Sequence, residues 1–390
     1  MLHAKDKRLI HITTARKSAG YVKQEVEALG YKVQTVTENG LFLKGDYRDC
    51  INLNFNLRTA YRVMWHLKDM HTPGPDQLYK EAKKFPWEEL IDADGYISIQ
   101  SFVKNDQILD TRFANVRLKD AIVDRINDKL GRRPDSGPDT SRTVIYLYWV
   151  ENKASVYLDT SGGALSKHGY RKMPYKAPMV ESLAASTIAA SGWDMNSNFI
   201  NPMCGSGTLA IEAALLAINK VPGLLKDNFG FMHTKLYDPV DFREVKRKAM
   251  SQLREMGDFK IVASDLNPVA VHAAKTNAEI AGVADLIEFK VCDFRDTPVY
   301  EGGGVVMVNP EYGERLGDEE ALVPVYKALG DFFKSKCQGY KGYIFTGNLN
   351  LAKNIGLRTS KRVEFYNGRI ECRLLEYELY RGSKKKTGKG

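Results

Sequence analysis

The sequence predicts an α/β protein with an open, mainly parallel sheet in its C-terminal half and a smaller α+β region before it. Four apolar runs of strand length predict this sheet, because each run ends in a glycine turn or a polar side chain. Two further runs, at 362–366 and 370–380, flank Asn367-Gly368, which predicts a terminal antiparallel hairpin. Short strand and helix patterns alternate over the first 160 residues and indicate the α+β region.

The N-terminal region is predicted from local periodicity and turn residues. A strand at 8–12 precedes a helix at 19–29 that ends at Gly30, and strands at 32–36 and 41–44 surround a turn at 38–40. The next patterns predict a helix at 46–60, a strand at 61–67, a helix at 76–84, a strand at 96–103, a helix at 115–130 and a hairpin of 143–150 with 154–158.

A glycine loop between a strand and a helix is the most informative stretch, Asn-Pro-Met-Cys-Gly-Ser-Gly-Thr at 201–208. Because Gly205 and Gly207 lack Cβ atoms, a ligand can approach the loop backbone, where the free amides of the helix start also face. Ala210 stands where a dinucleotide fingerprint has its third glycine, so a nucleotide-like cofactor is favoured over a dinucleotide. A plain helix-entry turn is the alternative.

Polar side chains end the other three predicted strands. Asp265 ends the run 261–265, Asp293 ends 288–293, and Asn309 follows 305–308. Because ligands bind at the carboxyl ends of strands in an open parallel sheet, we expect these ends to line one crevice. The competing interpretation makes the two aspartates helix caps and Asn309 a strand cap, with Tyr312 a core aromatic.

These stretches resemble class I S-adenosylmethionine-dependent methyltransferases, and specifically the THUMP-containing guanine-N2 methyltransferases of large-subunit ribosomal RNA, also described as N6-adenine-specific DNA methylases. The family's Asp-Pro-Met-Cys-Gly-Ser-Gly-Thr corresponds to 201–208, its Asn-Pro-Pro-Tyr-Gly-Glu-Arg-Leu to 309–316, and its Lys-Arg-Gly-Tyr-Arg to 167–171. The resemblance covers all but the last ten residues. Two departures matter: Asn201 replaces an aspartate, and Glu311 replaces the second proline.

The resemblance also implies a domain plan. It places a ferredoxin-like segment at 1–45, a THUMP RNA-binding domain at 46–160, a linker at 161–176, a Rossmann-like methyltransferase domain at 177–380 and a basic tail at 381–390. Within the last domain, helices are predicted at 177–191 and 319–336 and a strand at 342–346. The insertion between Lys220 and Gly257 forms either a lid or a segment packed beside the sheet.

The resemblance implies S-adenosylmethionine as the cofactor. Asp265 would accept hydrogen bonds from the ribose hydroxyls, and Asp293 from the adenine amino group. The full implied cofactor set is Asn201, Pro202, Cys204, Gly205, Ser206, Gly207, Thr208, Asp265, Leu266, Asp293, Phe294 and Asn309.

The resemblance implies the catalytic and RNA contacts as well. Asn309 and Pro310 would accept the two hydrogens of an exocyclic amine, and Tyr312 would stack on the target base. Glu311 would either accept from guanine N1 and N2 or face solvent. The linker residues implied to contact RNA are Lys167, His168, Tyr170 and Arg171, an aromatic ring among cations.

Net charge and composition limit the kinds of partner and site that the chain is expected to have. Of the net charge of +9, residues 1–175 hold 28 basic and 22 acidic residues (+6), residues 176–380 hold 24 and 26 (−2), and the last ten residues add +5. The N-terminal excess favours a polyanion such as RNA. Five cysteines without a Cys-x-x-Cys pair predict neither disulfides nor a metal site. Without a signal-peptide-like or membrane-spanning run, we expect a cytoplasmic protein.

The sequence therefore predicts a methyltransferase that acts on guanine N2 in RNA, with large-subunit ribosomal RNA as the expected substrate. The alternatives are an adenine-N6 methyltransferase on DNA or RNA, and a non-catalytic RNA-binding assembly factor, which the altered Asn201 and Glu311 would suit. Methylation of a cytosine carbon is disfavoured because no Pro-Cys pair supplies the nucleophile. The Gly-x-Gly context disfavours a nicotinamide oxidoreductase.

Overall fold

A computed structural model describes residues 2–380 except 106, 107, 109, 177 and 314–317. Ala177, the end of the 309–316 motif and the 381–390 tail of the sequence prediction lie outside the described residues. The described chain divides into two compact units. Unit 1 contains the residues up to Thr14 with Val22–Ser166 and Val221–Ser251, and unit 2 contains Ala15–Tyr21, Lys167–Lys220 and the residues from Gln252 on.

Strands and helices are numbered along the described chain. The strands are β1 Arg8–Thr14, β2 Val33–Thr37, β3 Gly40–Gly45, β4 Ala60–His71, β5 Tyr96–Lys104, β6 Asp135–Ser136, β7 Thr143–Val150, β8 Lys153–Asp159, β9 Asn198–Pro202, β10 Ile261–Asp265, β11 Ile287–Val291, β12 Gly304–Val308, β13 Tyr340–Thr346, β14 Lys361–Asn367 and β15 Ile370–Glu378. The α-helices are α1 Ala19–Ala28, α2 Tyr47–Asn56, α3 Pro75–Lys83, α4 Thr111–Leu130, α5 Glu181–Ser191, α6 Thr208–Ala217, α7 Pro239–Ser251, α8 Pro268–Ala281, α9 Asp318–Lys336 and α10 Leu349–Ala352.

Unit 1 is built on a mixed sheet with the order β2-β3-β1-β4-β8-β7-β5-β6. β5 pairs parallel with β6 and β7, whereas the other neighbours pair antiparallel. Alternation along β1 buries Ile10 and Ile12 on the helix-covered face, as period 2 requires. α2 begins with a capping box in which Asp46 and Asp49 each bind the other's backbone N–H.

The insertion packs into unit 1. Phe229 and Phe231 are fully buried and stack with ring centroids 5.0 Å apart, and the ring of Phe55 on α2 lies 6.3 Å from that of Phe229. The Tyr47 hydroxyl donates to the Phe231 carbonyl at 2.8 Å. Segment Val221–Ser251 therefore packs into the core of unit 1. Of the two alternatives that the sequence allowed, a lid and a packed segment, the structure shows a packed segment.

Unit 2 contains a sheet with the order β11-β10-β9-β12-β13-β15-β14. The first five strands run parallel, and β15 pairs antiparallel with both β13 and β14. Asn367 pairs with Ile370, so the tight turn of the hairpin is formed by Gly368 and Arg369, one residue later than the predicted Asn367-Gly368, with Gly368 at φ +62°. The predicted α/β class with a parallel sheet and a terminal antiparallel hairpin is confirmed.

β9 lies at the centre of this arrangement. Its neighbours are β10 on one side and β12 on the other, so the chain reverses its direction of progress across the sheet at β9. Such a switch point opens a crevice at the carboxyl ends of the strands. No helix within the described residues combines the length and apolar character needed to cross a bilayer.

Substitution of Gly230 tests the docking of the insertion. A Cβ at Gly230 would lie 2.6 Å from the Asp159 carbonyl oxygen and 2.7 Å from the Gly162 nitrogen, and backbone atoms cannot swing aside. We expect Gly230→Ala to lower the free energy of unfolding by about 1–3 kcal/mol, the usual cost of overpacking. Urea unfolding followed by circular dichroism measures the change.

Gly163→Ala is the matched control, because a Cβ there meets no atom within 4 Å. Equal midpoints for the two alanine variants would show that the insertion is loosely held.

Candidate active site

The loop after β9 requires both of its glycines, for different reasons. Gly205 has φ +56° and Gly207 φ +82°, values that side chains rarely adopt. A Cβ on Gly207 would lie 2.8 Å from the Ala274 Cβ on α8, so this glycine lets the loop pack against a helix. A Cβ on Gly205 would meet nothing within 4 Å. The space beside Gly205 is therefore open to a ligand.

A carboxylate at the end of β10 binds this loop directly. The Gly205 N–H donates to Asp265 Oδ2 at 3.0 Å, and the Asn267 N–H donates to Oδ1 at 3.0 Å. A carboxylate offers about four lone-pair positions, so Asp265 retains capacity for hydroxyl donors. The next residue, Leu266, is 69% exposed and leaves an apolar side chain uncovered. The first two predicted strand ends are thus in contact.

Asp293 follows the neighbouring strand β11 and caps a short 3₁₀ helix that begins at Phe294. The Arg295 guanidinium donates to its two oxygens at 2.8 Å each, and this hydrogen bonding lowers the pKa of the Asp293 carboxyl. Phe294 is half-buried, with its ring edge-on to Phe332 at 6.1 Å. The cap that sequence reasoning offered as an alternative is present, and ionised Asp293 remains an acceptor.

Three oxygens near the strand ends are buried without a hydrogen-bond donor among the described residues. They are the Oδ1 atoms of Asn201 and Asn309 and the Oγ atom of Ser206. Asn201 is fixed by its Nδ2, which donates to the Met307 carbonyl at 2.9 Å. A buried polar atom without a partner costs about 1–3 kcal/mol. These oxygens therefore indicate a ligand that donates hydrogen bonds.

The Asn-Pro-Glu-Tyr segment after β12 is held by its neighbours. Pro310 is buried, and the Tyr326 hydroxyl donates to the Glu311 carbonyl at 3.3 Å. The Tyr312 hydroxyl accepts from Asn367 Nδ2 at 3.1 Å, while its ring is half-buried. The Tyr312 side chain is thus fixed at its hydroxyl end, which leaves part of the ring accessible.

Glu311 points to solvent and forms an ion pair with Lys176 at 2.9 Å, with both side chains about two-thirds exposed. The hydrogen bond from Lys176 to this carboxylate raises the pKa of the lysine. Sequence reasoning missed Lys176 because the two residues are 135 positions apart in the chain.

Cys204 has no feature of a nucleophile. Its N–H donates to the Ser264 carbonyl at 2.8 Å, and burial raises the pKa of its thiol. Pro202 is a buried end residue of β9. Within the described residues, no group of three or more His, Cys, Asp or Glu side chains is arranged to hold a metal ion.

The structure corrects the predicted RNA contacts of the linker. His168 and Tyr170 are fully buried, and both bind Glu212 Oε1 on α6, at 2.7 Å and 2.8 Å. Arg171 is also mostly buried and pairs with Glu181 at 3.2 Å. Only Lys167 of the four is exposed. The physical reason is that a buried carboxylate needs donors, and the linker supplies them.

The linker also binds the first residue after the glycine loop. The Arg171 guanidinium donates to the Thr208 hydroxyl at 3.1 Å, at the first residue of α6. Glu212 and Glu181 were missed by sequence reasoning. The signal available was a single glutamate within the otherwise apolar run 209–217.

Tyr170→Phe tests whether this linker is structural. The variant leaves Glu212 with one donor fewer in a dry site, so we expect the free energy of unfolding to fall by about 1–3 kcal/mol. RNA affinity, measured by filter binding, is expected to stay within twofold. Lys167→Ala, at the exposed residue of the linker, is the control for stability and should leave the free energy of unfolding unchanged. A loss of RNA affinity without a change in stability would restore the stacking role.

Three family models match the chain. An RlmL ferredoxin-like domain matches residues 10–64, a THUMP domain matches 75–159, and an RMKL-like methyltransferase domain matches 168–376, more than half of the chain. This chain belongs to the RMKL-like methyltransferase family. The sheet of unit 2 is therefore a class I methyltransferase sheet, and ferredoxin-like and THUMP domains precede it. The ferredoxin-like match extends to residue 64, beyond the segment 1–45 expected from the sequence.

Individual relatives agree with the family. Ribosomal RNA large subunit methyltransferase K/L of Syntrophotalea carbinolica is 33% identical over 368 residues, 91% of this chain and 51% of that protein. The chain thus spans about half the length of the K/L relatives it matches. The Synechocystis sp. protein slr0064 is 32% identical over 94% of this chain and 96% of its own. The crystal structure of SMU.472 complexed with SAH has a TM-score of 0.87 and 26% identity, covering 97% and 100% of the two chains.

Proposed function

We propose that this chain transfers a methyl group from S-adenosylmethionine to the exocyclic N2 amine of a guanine in RNA, with large-subunit ribosomal RNA as the substrate. The observation that carries the proposal is the Oδ1 atom of Asn309 at the carboxyl end of β12, next to the central strand β9. This atom is buried and accepts no hydrogen bond from any residue that the structure describes. The THUMP match and the names of the K/L relatives support RNA as the substrate. The SAH complex of SMU.472 supports the cofactor.

The loop and its neighbours fit this cofactor. Open space beside Gly205 allows a ligand to reach the backbone. The oxygens of Asn201 and Ser206, which bind no donor among the described residues, would accept hydrogen bonds from its ammonium group. Asp265 would accept from the ribose hydroxyls, and ionised Asp293 from the adenine amino group. When bound, S-adenosylmethionine supplies a methyl group activated by its sulfonium.

Leu266 and Phe294 follow these two aspartates. The uncovered side chain of Leu266 suits the face of a purine ring, because an apolar surface beside the base is removed from water on binding.

Asn201 stands where the family has an aspartate. Its side chain is neutral, so it would hold the ammonium group of the cofactor by a dipole rather than by a full charge. We expect weaker cofactor binding than a carboxylate would give.

The chain prepares the target amine by accepting its hydrogens. An exocyclic amine is a poor nucleophile because its lone pair is delocalised into the ring. Asn309 Oδ1 and the Pro310 carbonyl would each accept one hydrogen, which takes the lone pair out of conjugation with the ring and directs it toward the methyl group. Pro310 has no N–H that could compete as a donor. Orientation of this kind, with acceptors placed where positive charge develops, supplies the rate enhancement.

Tyr312 positions the target base. Its hydroxyl is bound by Asn367, and a Cβ on Gly347 would lie 3.2 Å from its ring, so the ring rests against a residue without a side chain. A base turned out of its stack would lie on the accessible part of this ring. Adenine-N6 transfer is the second candidate, because the acceptors of Asn309 and Pro310 serve either amine and the Lys176 ion pair engages Glu311.

Incubation of the protein with labelled cofactor and ribosomal RNA from a deletion strain tests the function. Mass spectrometry of the nucleosides is expected to show N2-methylguanosine. N6-methyladenosine instead would favour the second candidate, and no methylated nucleoside together with no cofactor binding would favour a non-catalytic role.

Asn309→Ala tests the acceptor. Loss of a preorganised electrostatic contact typically costs about 10²–10³ in kcat, and we expect a fall of that size. The cofactor Kd, measured by calorimetry, is expected to change by less than threefold. Asn196→Ala, at an exposed turn of unit 2, is the control and should retain full activity. Full activity of the Asn309 variant would contradict the proposal that Asn309 Oδ1 accepts a hydrogen of the target amine.

Glu311→Gln tests base recognition. If the carboxylate accepts from guanine N1 and N2, its loss removes a charge-assisted hydrogen bond, and kcat/KM for guanine falls roughly 10- to 100-fold. Lys176→Met keeps the carboxylate and removes only its ion-pair partner, so it should preserve the guanine preference. Equal guanine methylation by the Gln variant and the parent would leave Glu311 as a solvent-facing residue.

A further inference from the structure

The insertion places a basic surface on unit 1. We call Arg243, Lys246, Arg247 and Lys248 of α7 the insertion patch, and all four side chains are exposed. Arg243, Lys246 and Arg247 have the i, i+3, i+4 spacing that puts residues on one side of a helix. The opposite side of α7, formed by Phe242, Val245 and Ala249, packs into the core of unit 1.

The patch cations have no acidic partner within the described residues, where no carboxylate comes within ion-pair distance of any of the four. The two acids of α7, Asp241 and Glu244, pair instead with Arg48 of α2, at 3.6 Å and 2.5 Å. A cation near a helix C-terminus stabilises the helix dipole, but the benefit is confined to the last turn. Arg243 lies in the first half of the helix, so the dipole does not account for the whole patch.

A shallow cavity of about 500 Å³ lies beside the patch and is rich in donors. It is lined by Arg48, Glu244, Arg247, Lys248 and Ser251. Its single acid, Glu244, is already bound by Arg48. Guanidinium and ammonium groups around a hydroxyl are the donor set that phosphate oxygens use.

We propose that the insertion patch binds the phosphate backbone of RNA. The inference rests on the proposed function, since it assigns part of the RNA contact to the unit that contains the THUMP match. Residues 221–251 contain six basic and four acidic residues and add positive charge to unit 1. Phosphate contacts of this kind are sequence-independent and provide affinity rather than base choice.

The alternative anionic partner, a membrane surface, fits the helix less well. An interfacial helix inserts an apolar face into the bilayer, whereas the apolar face of α7 is buried in the protein core. The exposed side retains only two large apolar side chains among the described residues of α7, Val240 and Met250, and they are interspersed with the cations.

The salt dependence of RNA binding tests the proposal. The triple variant Arg243→Gln, Lys246→Gln, Arg247→Gln removes three cations from one side of α7. The 390-residue chain is titrated with transcribed large-subunit ribosomal RNA and with poly(U). Each lost phosphate contact lowers the magnitude of the slope of log K against log salt by about 0.7–0.9. We expect the slope magnitude to fall by roughly 2 to 3 and affinity at 100 mM salt to fall at least tenfold.

The control triple is Lys336→Gln, Lys341→Gln, Lys361→Gln, which removes the same charge from exposed positions of unit 2. It should leave the slope nearly unchanged, and both triples should bind the cofactor like the parent. An equal loss of slope in the two triples, or none in either, would overturn the proposal. So would a patch variant that loses binding only to phosphatidylserine vesicles.

The outcome for the parent protein separates the inference from the function beneath it. Absence of RNA binding and methylation by the parent would refute the proposed function itself. A parent that binds and methylates RNA, with an unaltered slope in the patch variant, would refute only the role of α7.

Discussion

The hydrogen bond from the Gly205 N–H to Asp265 Oδ2, 3.0 Å long, joins the loop after β9 to the end of β10. It orients the carboxylate and holds a loop whose backbone is unusual, with Met203 at φ +54° although it is not a glycine. The bond from Cys204 to the Ser264 carbonyl, 2.8 Å long, secures the same loop one residue earlier. Because neighbouring strand ends fix the loop, its acceptors are arranged before any ligand binds, and little conformational entropy remains to be lost on binding.

The buried polar groups of unit 2 fall into two kinds. Oε1 of Glu212, at 0% exposure, is bound by His168 and Tyr170 from a segment that is distant in sequence, whereas its Oε2 has no partner among the described residues. The oxygens of Asn201, Ser206 and Asn309 receive none within the described residues. Folding alone favours the first arrangement, since an unpaired buried oxygen is destabilising. Three such oxygens near the carboxyl ends of adjacent strands are best explained by a ligand that binds there.

Local sequence patterns predicted much of the fold, because strand periodicity, glycine turns and Asn-Gly hairpins act over a few residues. The hairpin around Gly368 and the contact of Gly205 with Asp265 follow from such patterns and from the rule for strand ends. The environment of Tyr170 could not be predicted from local patterns. A tyrosine between cations looks the same in sequence whether it stacks on RNA or is buried, and its partner Glu212 lies 42 residues further on.

The insertion shows the same limit on a larger scale. Residues 221–251 follow the glycine loop in the chain, so counting charge by position assigned their cations to the methyltransferase half. Burial of Phe229 and Phe231 against α2 instead brings this segment, and its excess of positive charge, into unit 1. A polyanion responds to cations that are near one another in space, so the folded unit determines which cations act together. Counted over the folded units up to residue 380, unit 1 carries +3 and unit 2 carries +1, so the net contrast is smaller than the linear count of +6 and −2, and the positive charge of unit 1 is a local feature of α7.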